Sequence, residues 1–207
     1  MEYGIVRQSD GWAPPEDQRT APRYTSLIRA AKLVTMHGEF VCVIRDVSAS
    51  GISLRAFHAL PGDDTATIEL QNGDDFTVRK VRAEGLEASY AFRAPVMVER
   101  LVRETWNYPK RQLRLNLSMP LTVRSAVQAA RSEAITLNIS QQGACIECET
   151  PFAIDQQIMV QCDHMSETRA KVRWREGDQY GVVFDNTFTL REFAMLAAGV
   201  QCPVLLG

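Results

Sequence analysis

The segment Asp46-Val-Ser-Ala-Ser-Gly51 recurs as Asn138-Ile-Ser-Gln-Gln-Gly143 at an offset of 138 − 46 = 92 residues. The same offset links Tyr90-Ala-Phe92 to Val182-Val-Phe184. Because the register is kept along the sequence, the chain is predicted to be a tandem duplication. Small domains contain about 100 residues, so a chain of 207 residues has room for two of them.

The composition is that of a globular protein without a strongly charged surface. Hydrophobic residues make up 45% and charged residues 23% of the chain, and the formal net charge is −2. Non-specific binding to nucleic acid depends on a cationic surface, so we expect no DNA or RNA partner. No apolar run approaches the roughly 18–20 residues of a membrane span, and we expect no membrane insertion.

Two further features predict a cytoplasmic location. Residues 1–7 lack the cationic and apolar regions of an export signal. The five cysteines are an odd number and lie mostly within apolar runs, as is usual for free thiols in a reducing compartment. We therefore expect a cytoplasmic protein.

Short apolar runs separated by turn signals predict strands throughout both copies. In Ala66-Thr-Ile-Glu-Leu70 apolar and polar residues alternate, which is typical of a strand with one buried face. The first copy is predicted to contain strands at 27–34, 40–46, 52–57, 66–70, 76–81 and 88–92. The second copy is predicted to contain strands at 121–124, 134–138, 144–148, 158–162, 169–174 and 180–184.

Each set of strands is followed by a helical pattern. Apolar residues recur at helical spacing within 95–106, and Thr189-Leu-Arg-Glu192 is a capping box that opens a helix over 190–198. The sequence therefore predicts a mainly β fold of two tandem six-stranded antiparallel β-barrels, each followed by a helix. The expected domains are 1–24, a flexible arm that carries the first arginine pair; 25–107, the first barrel with its linking helix; and 108–207, the second barrel with its helix.

The residues with recognisable chemistry gather at the first motif and on the arm before it. Arg19 and Arg23 each carry a planar fork of donors, which suits phosphate oxygens and the O6/N7 edge of guanine. The carboxylate of Asp46 only accepts hydrogen bonds, so it suits the N1–H and N2–H donors on another edge of the same base. Ser48 adds a hydroxyl, and Gly51 permits a tight turn or a close ligand. Together these residue types indicate a receptor for an anionic guanine nucleotide.

An arginine pair, two predicted strands and the acidic motif follow one another in the first copy, and Arg23 lies 46 − 23 = 23 residues before Asp46. This order resembles the PilZ family of cyclic di-GMP receptors. The second copy is similar to the same family through Asn138-Ile-Ser-Gln-Gln-Gly143, Val172-Arg-Trp174 and Tyr180-Gly-Val-Val-Phe184. The resemblance therefore covers nearly the whole chain.

The resemblance implies a six-stranded β-barrel whose preceding arm folds over bound cyclic di-GMP, with no catalysis and no cofactor. Carried onto this chain, it implies that Arg19 and Arg23 hold guanine and phosphate, and that Asp46 contacts a guanine edge. Ser48 and Gly51 are then expected to shape the turn beneath the ligand.

The second copy departs from the family pattern in its basic segment, Lys110-Arg-Gln-Leu-Arg114. Lys110 stands where the first arginine is expected, unless Arg111 substitutes for it from a shifted position, and a lysine lacks the planar fork. Asn138 also carries one fewer negative charge than Asp46. We expect the first domain to be the principal site. A weaker second site, or a purely structural copy, would involve Lys110, Arg111, Arg114, Asn138, Ser140 and Gly143.

Other candidate groups are interpreted as structural. Cys145 and Cys148 are three residues apart on a predicted strand, so they should face opposite sides and form no metal site. Ala83 lies near the position that Trp174 holds in the second copy, a difference expected to affect the core. Three histidines in or beside predicted turns are expected to be exposed and non-catalytic: His37, His58 and His164.

The sequence thus predicts a cytoplasmic receptor that is not an enzyme. It is expected to bind cyclic di-GMP mainly in the first domain, to relay the level of this second messenger by a change of conformation, and to act on a downstream protein. The residue before the first arginine, Gln18, bears on whether one ligand molecule or a stacked pair binds in this family. The alternative function is a protein-interaction or oligomerisation scaffold with a weak or vestigial nucleotide site.

Overall fold

The chain folds into two β-barrels, which a computed structural model describes over residues 24–102, 112–125 and 130–207. The strands of the first barrel are β1 (Tyr24–Thr35), β2 (Gly38–Val47), β3 (Gly51–Ala56), β4 (Thr65–Leu70), β5 (Asp75–Glu84) and β6 (Glu87–Phe92). They pair antiparallel in the order β1-β2-β3-β6-β5-β4. The barrel closes because β1 also pairs with β4, between Ala31 and Val34.

The second barrel repeats this arrangement. Its strands are β7 (Arg114–Leu115), β8 (Pro120–Ser125), β9 (Arg131–Ser140), β10 (Gly143–Glu147), β11 (Gln157–Cys162), β12 (Met165–Glu176) and β13 (Gln179–Phe184). The strands β8 to β13 pair in the order β8-β9-β10-β13-β12-β11, and β11 returns to β8. The mainly β fold of two six-stranded antiparallel barrels is thereby confirmed. The short β7, which pairs with the end of β9, was not predicted from the sequence pattern.

A short helix follows the first barrel. This helix, α1 (Val98–Val102), lies within the predicted helical segment 95–106. Val98 and Leu101 are buried in the first core. The Arg29 guanidinium donates to the Leu101 carbonyl at 3.0 Å, which attaches the helix to β1.

The helix α2 (Leu190–Gln201) begins where the capping box predicts. The Glu192 amide donates to the Thr189 hydroxyl at 3.2 Å, and the Thr189 amide donates to the Glu192 carboxylate at 2.8 Å. These bonds satisfy two backbone donors that a helix start otherwise leaves unpaired. A 3₁₀ turn (Pro203–Leu206) follows the helix. Within the described residues, no helix combines the length and the apolar character needed to cross a membrane.

The helix α2 packs between the two barrels. Phe193 and Ala197 belong to the second core, and the helix also lies against β2 of the first barrel. As a result β2 is buried on both faces: Cys42 belongs to the first core, whereas Val41 belongs to the second. Burial on both faces explains why the segment Phe40-Val-Cys-Val-Ile44 is continuously apolar rather than alternating.

Two predicted segments lie outside the described residues. Of the arm at 1–24, only the backbone of Tyr24 is described, at the start of β1. The linking helix predicted to residue 106 is described only as far as Val102. The domain boundaries drawn from the sequence therefore stay a prediction.

Replacing Thr189 with alanine should lower the free energy of unfolding by about 0.5–2 kcal/mol, because the Glu192 amide loses its acceptor. Thr187, an exposed threonine two residues earlier, provides the control. Thr187→Ala should change the same quantity by less than about 0.5 kcal/mol. Urea unfolding followed by circular dichroism measures both variants, and equal midpoints would contradict the capping role.

Candidate functional site

A β-bulge precedes the motif in each barrel and decides where the first motif side chain points. In β2 the register with β3 skips Arg45. Strict alternation would place Asp46 on the same side as the buried Ile44, but the bulge turns Asp46 towards the outer surface, where it is half-buried. In β9 the register with β10 skips Leu137, and Asn138 is turned outwards in the same way.

The serine and the glycine of each motif close the turn between the two strands. Ser48 is buried, its hydroxyl accepts from the Gly51 amide at 3.2 Å, and its amide donates to the Gly51 carbonyl at 2.8 Å. Ser140 is also buried, and its hydroxyl donates to the Gly143 carbonyl at 3.1 Å. Both serines therefore shape the turn, as expected for Ser48. A contact between either hydroxyl and a ligand stays a prediction.

A row of four cross-strand partners forms the floor beside each motif. In the first barrel, on β2, β3, β6 and β5, the row is Asp46, Ser53, Ser89 and Arg82. In the second barrel, on β9, β10, β13 and β12, the row is Asn138, Cys145, Gly181 and Trp174. Each residue of the second row lies 92 positions after its counterpart in the first. The two copies therefore share the geometry of the floor and differ in all four of its residues.

The first floor lies in a cleft of about 510 Å³ on the outside of the first barrel. Its lining includes Arg45, Asp46, Arg82, Glu84 and Glu87. Charges of both signs meet here, and Arg82 forms an exposed ion pair with Glu84. The turn residues of the first motif are not part of this lining.

A cleft of about 450 Å³ lies at the equivalent place on the second barrel. It brings together four of the predicted second-site residues, namely Arg114, Asn138, Ser140 and Gly143. Arg114 is placed beside the motif because β7 pairs with β9, where Arg114 is opposite Ser140. Gln112 also lines the cleft.

Trp174 lies in the second cleft and is 44% exposed. A bulge at Arg173 in β12 turns the indole outwards, although Val172 in the same alternating run is buried. The indole lies against Gly181, where a Cβ would collide with Trp174 Nε1. Gly181 is therefore needed for the aromatic ring to form part of the floor.

The counterpart of Trp174 in the first barrel is Arg82 and not Ala83. The expectation that this difference affects the core is wrong, because both side chains lie on the outer surface. Sequence reasoning missed both as cleft residues. The offset of 92 would have found Arg82, since 174 − 92 = 82.

Cys145 is half-buried on the second floor. Desolvation by burial raises the pKa of its thiol, and the nearby Arg114 guanidinium acts in the opposite direction. Cys148 is buried with Ile146 in the second core, so the two cysteines face opposite sides as expected. Among the described residues, no group of His, Cys, Asp and Glu side chains is arranged to hold a metal ion.

One histidine differs from its sequence-based expectation. His58 is 3% exposed, and its ring lies 5.4 Å from that of Phe40. Desolvation lowers the pKa of His58, although its hydrogen bond to the Ala59 carbonyl acts in the opposite direction. The neighbouring Phe57 packs against the second core, so the turn that contains His58 lies at the junction between the barrels. For this reason the expectation that His58 is exposed was wrong. His37 and His164 are exposed.

Four predicted basic residues lie outside the described part of the chain: Arg19, Arg23, Lys110 and Arg111. Their roles stay predictions. Of the complete candidate set, the described structure places Asp46 in the first cleft and groups Arg114 with the second motif in the second cleft.

Comparison with known proteins gives one family match. Residues 109–201 match the model of the PilZ family, described as the PilZ domain. No curated protein matches the chain.

Several solved structures are distantly similar to the chain. The Borreliella burgdorferi PlzA protein in complex with c-di-GMP is 12% identical, with 84% of this chain and 88% of that chain covered and a TM-score of 0.33. MrkH of K. pneumonia is 10% identical, with 85% of each chain covered and a TM-score of 0.33. The Bacillus subtilis inhibitor of motility (MotI/DgrA) is 12% identical, with 86% of this chain and 97% of that chain covered and a TM-score of 0.33.

The second barrel, with its motif and cleft, is a PilZ domain. The match covers residues 109–201, less than half of the chain, and the first barrel repeats the same strand order.

Gly143→Ala should lower the stability of the second barrel by about 1–3 kcal/mol, because the new Cβ would collide with the Val182 carbonyl of the neighbouring strand. Gly62→Ala is the matched control, since a Cβ at that position meets nothing within 4 Å. Thermal unfolding of both variants measures the difference. If Gly143→Ala unfolds at the same temperature as Gly62→Ala, the close approach at this glycine is disproved.

Proposed function

We propose that the protein is a receptor for cyclic di-GMP, with a ligand cleft on each barrel. One observation carries the proposal: a floor of four cross-strand partners lies beside the same serine–glycine turn on both barrels. The family to which the second barrel belongs supports cyclic di-GMP as the ligand. The proposal assigns binding and no catalysis to these clefts.

The second cleft offers a group for each part of a guanine nucleotide. The guanidinium of Arg114 suits a phosphate or the O6/N7 edge of guanine. The side-chain amide of Asn138 both accepts and donates hydrogen bonds at a base edge. The exposed face of Trp174 suits stacking on a base, an interaction that contributes about 1–3 kcal/mol per base.

The finer part of the proposal is that the first cleft binds the ligand more tightly. Hydrogen bonds to charged groups contribute about 1.5–3 kcal/mol each. The first site combines the Asp46 carboxylate with two arginines of the preceding arm, Arg19 and Arg23. The second site has one arginine of the family pair and one stacking surface, so the total free energy of its contacts with the ligand would be smaller than that of the first site.

We further propose that the ligand acts through the arm that precedes the first barrel. A ligand shifts a conformational equilibrium only by the difference between its affinities for the two states. Contacts of Arg19 and Arg23 with bound cyclic di-GMP would supply that difference, since they form only when the arm closes over the ligand. The closed arm would then present a surface that a downstream protein recognises.

Arg23→Ala should weaken the tighter binding step about ten- to hundredfold, because it removes charge-assisted hydrogen bonds of about 1.5–3 kcal/mol. Arg114→Ala should leave the tighter step nearly unchanged and affect the weaker one. Calorimetric titration of both variants with cyclic di-GMP measures the two steps. The opposite pattern, in which only Arg114→Ala abolishes the tighter step, would reverse the ranking of the clefts.

Guanine should be strongly preferred over adenine in the first cleft. The Asp46 carboxylate accepts from the N1–H and N2–H of guanine, whereas adenine presents a lone pair at N1 and no amino group at C2. Competition between unlabelled cyclic di-AMP and labelled cyclic di-GMP measures this preference. Displacement at comparable concentrations would show that the cleft recognises phosphate charge alone.

The calorimetric titration also separates the receptor from the alternative scaffold function. A receptor releases or absorbs heat with cyclic di-GMP at concentrations near its dissociation constant. Absence of heat at high ligand concentration would leave the barrels as a protein-interaction or oligomerisation scaffold.

A further inference from the structure

Glu39 joins the two barrels at the start of β2. Its carboxylate accepts a hydrogen bond from the Asn116 backbone amide at 2.7 Å and a second from the Asn116 side-chain amide at 2.9 Å. The two residues are 77 positions apart and belong to different barrels. Because one carboxylate receives two bonds from one residue, the contact fixes orientation as well as distance.

Glu39 is itself held in place from two sides. Lys32 Nζ lies 3.3 Å from the Glu39 carboxylate and 2.8 Å from that of Glu69, and the Lys32 side chain is only 5% exposed. Gln201 of α2 accepts from the Glu39 amide at 2.8 Å and donates to the Glu39 carbonyl at 2.7 Å. The Lys32 ammonium therefore holds the carboxylate that accepts from Asn116, whereas Gln201 holds only the Glu39 main chain.

Asn116 lies two residues after Arg114, on the same face of an extended segment. Leu115 and Leu117 are buried in the second core, whereas Arg114 and Asn116 are exposed. Side chains two residues apart in an extended chain point to the same side. The outer face of this segment thus reaches the second cleft through Arg114 and the first barrel through Asn116.

The strand β7 itself makes few backbone contacts with the sheet, and Thr136 of β9 attaches the following residues Leu117 and Met119. The strand β7 contains only two residues, and both pair with β9, Arg114 opposite Ser140 and Leu115 opposite Ile139. The contact with Glu39 comes directly after this pairing. It is therefore placed to decide how firmly the Arg114 side of the cleft is positioned.

We infer that Glu39 is a positioning residue for the second cleft. By holding Asn116 it fixes β7, and so it places the Arg114 guanidinium beside Asn138. The second cleft is then incomplete without the first barrel, although its lining residues come from the second barrel. The inference rests on the proposed function only for the identity of the ligand.

The inference links ligand binding to the contact between the barrels. If the bonds between Glu39 and Asn116 strengthen binding in the second cleft, bound ligand must strengthen those bonds by the same factor. The contact is therefore a route by which occupancy of the second cleft reaches the first barrel.

The first test needs no ligand and measures hydrogen exchange of the Asn116 backbone amide in the full chain by NMR. Glu39→Ala should speed this exchange about tenfold or more, because the amide loses a charged acceptor. Gln201→Ala is the matched control: it removes the contact between α2 and the Glu39 main chain but leaves the carboxylate in place. The control should exchange within about threefold of the unmodified chain. Exchange at the unmodified rate in Glu39→Ala would overturn the inference.

The second test titrates cyclic di-GMP and follows Trp174 fluorescence in the full chain. The other two tryptophans are removed by Trp12→Phe and Trp106→Phe. Glu39→Ala should weaken binding in the second cleft about tenfold. Asn116→Asp places two carboxylates next to each other and should weaken binding by the same factor. This variant leaves the ion pairs of Lys32 intact, so it tests the role of Glu39 even if Glu39→Ala fails to fold.

A rescue variant distinguishes positioning from a general loss of structure. Glu39→Gln combined with Asn116→Asp keeps two hydrogen bonds: the backbone amide of residue 116 still donates to the side chain at 39, and the side-chain bond is reversed. This double variant should bind within about threefold of the parent. Unchanged affinity in both Glu39→Ala and Asn116→Asp would overturn the inference, as would an equal loss in Gln201→Ala. If the parent shows no fluorescence response, the proposed function fails at this cleft, and the exchange experiment alone then decides the role of Glu39.

Discussion

Both candidate clefts depend on one extra residue in a strand. Arg45 in β2 and Leu137 in β9 interrupt the two-residue alternation, and only for this reason do Asp46 and Asn138 lie on the outer surface. Without the bulge the carboxylate of Asp46 would point into an apolar core, where burial of an unpaired charge costs several kcal/mol. The bulge thus avoids the cost of burying the Asp46 carboxylate, and it also places that carboxylate in the cleft as a hydrogen-bond acceptor.

The two barrels share one backbone arrangement but present different side chains in their clefts. Two of these differences depend on each other sterically. Gly181 has no side chain, which leaves room for the indole of Trp174 to lie against the strand. In the first barrel Ser89 occupies the place of Gly181, and Arg82 that of Trp174. A change at one of these positions therefore constrains the other. The second floor therefore contains an aromatic ring beside a glycine, and the first contains a charged side chain beside a serine.

Much of the fold could be predicted from the sequence because strand alternation and helix capping are local properties. The site could be predicted only in part. The run Arg169-Ala-Lys-Val-Arg-Trp174 alternates strictly, and this alternation favours an inward tryptophan. The bulge in β12 turns Trp174 outwards instead, and no local sequence pattern marks that bulge. The burial of His58 depends on its position at the junction between the barrels, which a turn pattern does not reveal. The uninterrupted apolar segment Phe40-Val-Cys-Val-Ile44 was the available sign that β2 is covered on both faces.

The position of α2 between the barrels has a consequence for synthesis on the ribosome. All six strands of the first barrel have been made once Phe92 is added, yet one face of β2 is covered only by parts of the chain that come later. Translation at roughly 5–20 residues per second needs about 5–20 s to cover the 190 − 92 = 98 residues to the start of α2. During that interval the Val41 face of β2 lacks the part of its cover that α2 supplies. A newly made first barrel therefore exposes apolar surface of β2 until the last helix is made, and transiently exposed apolar surface favours aggregation.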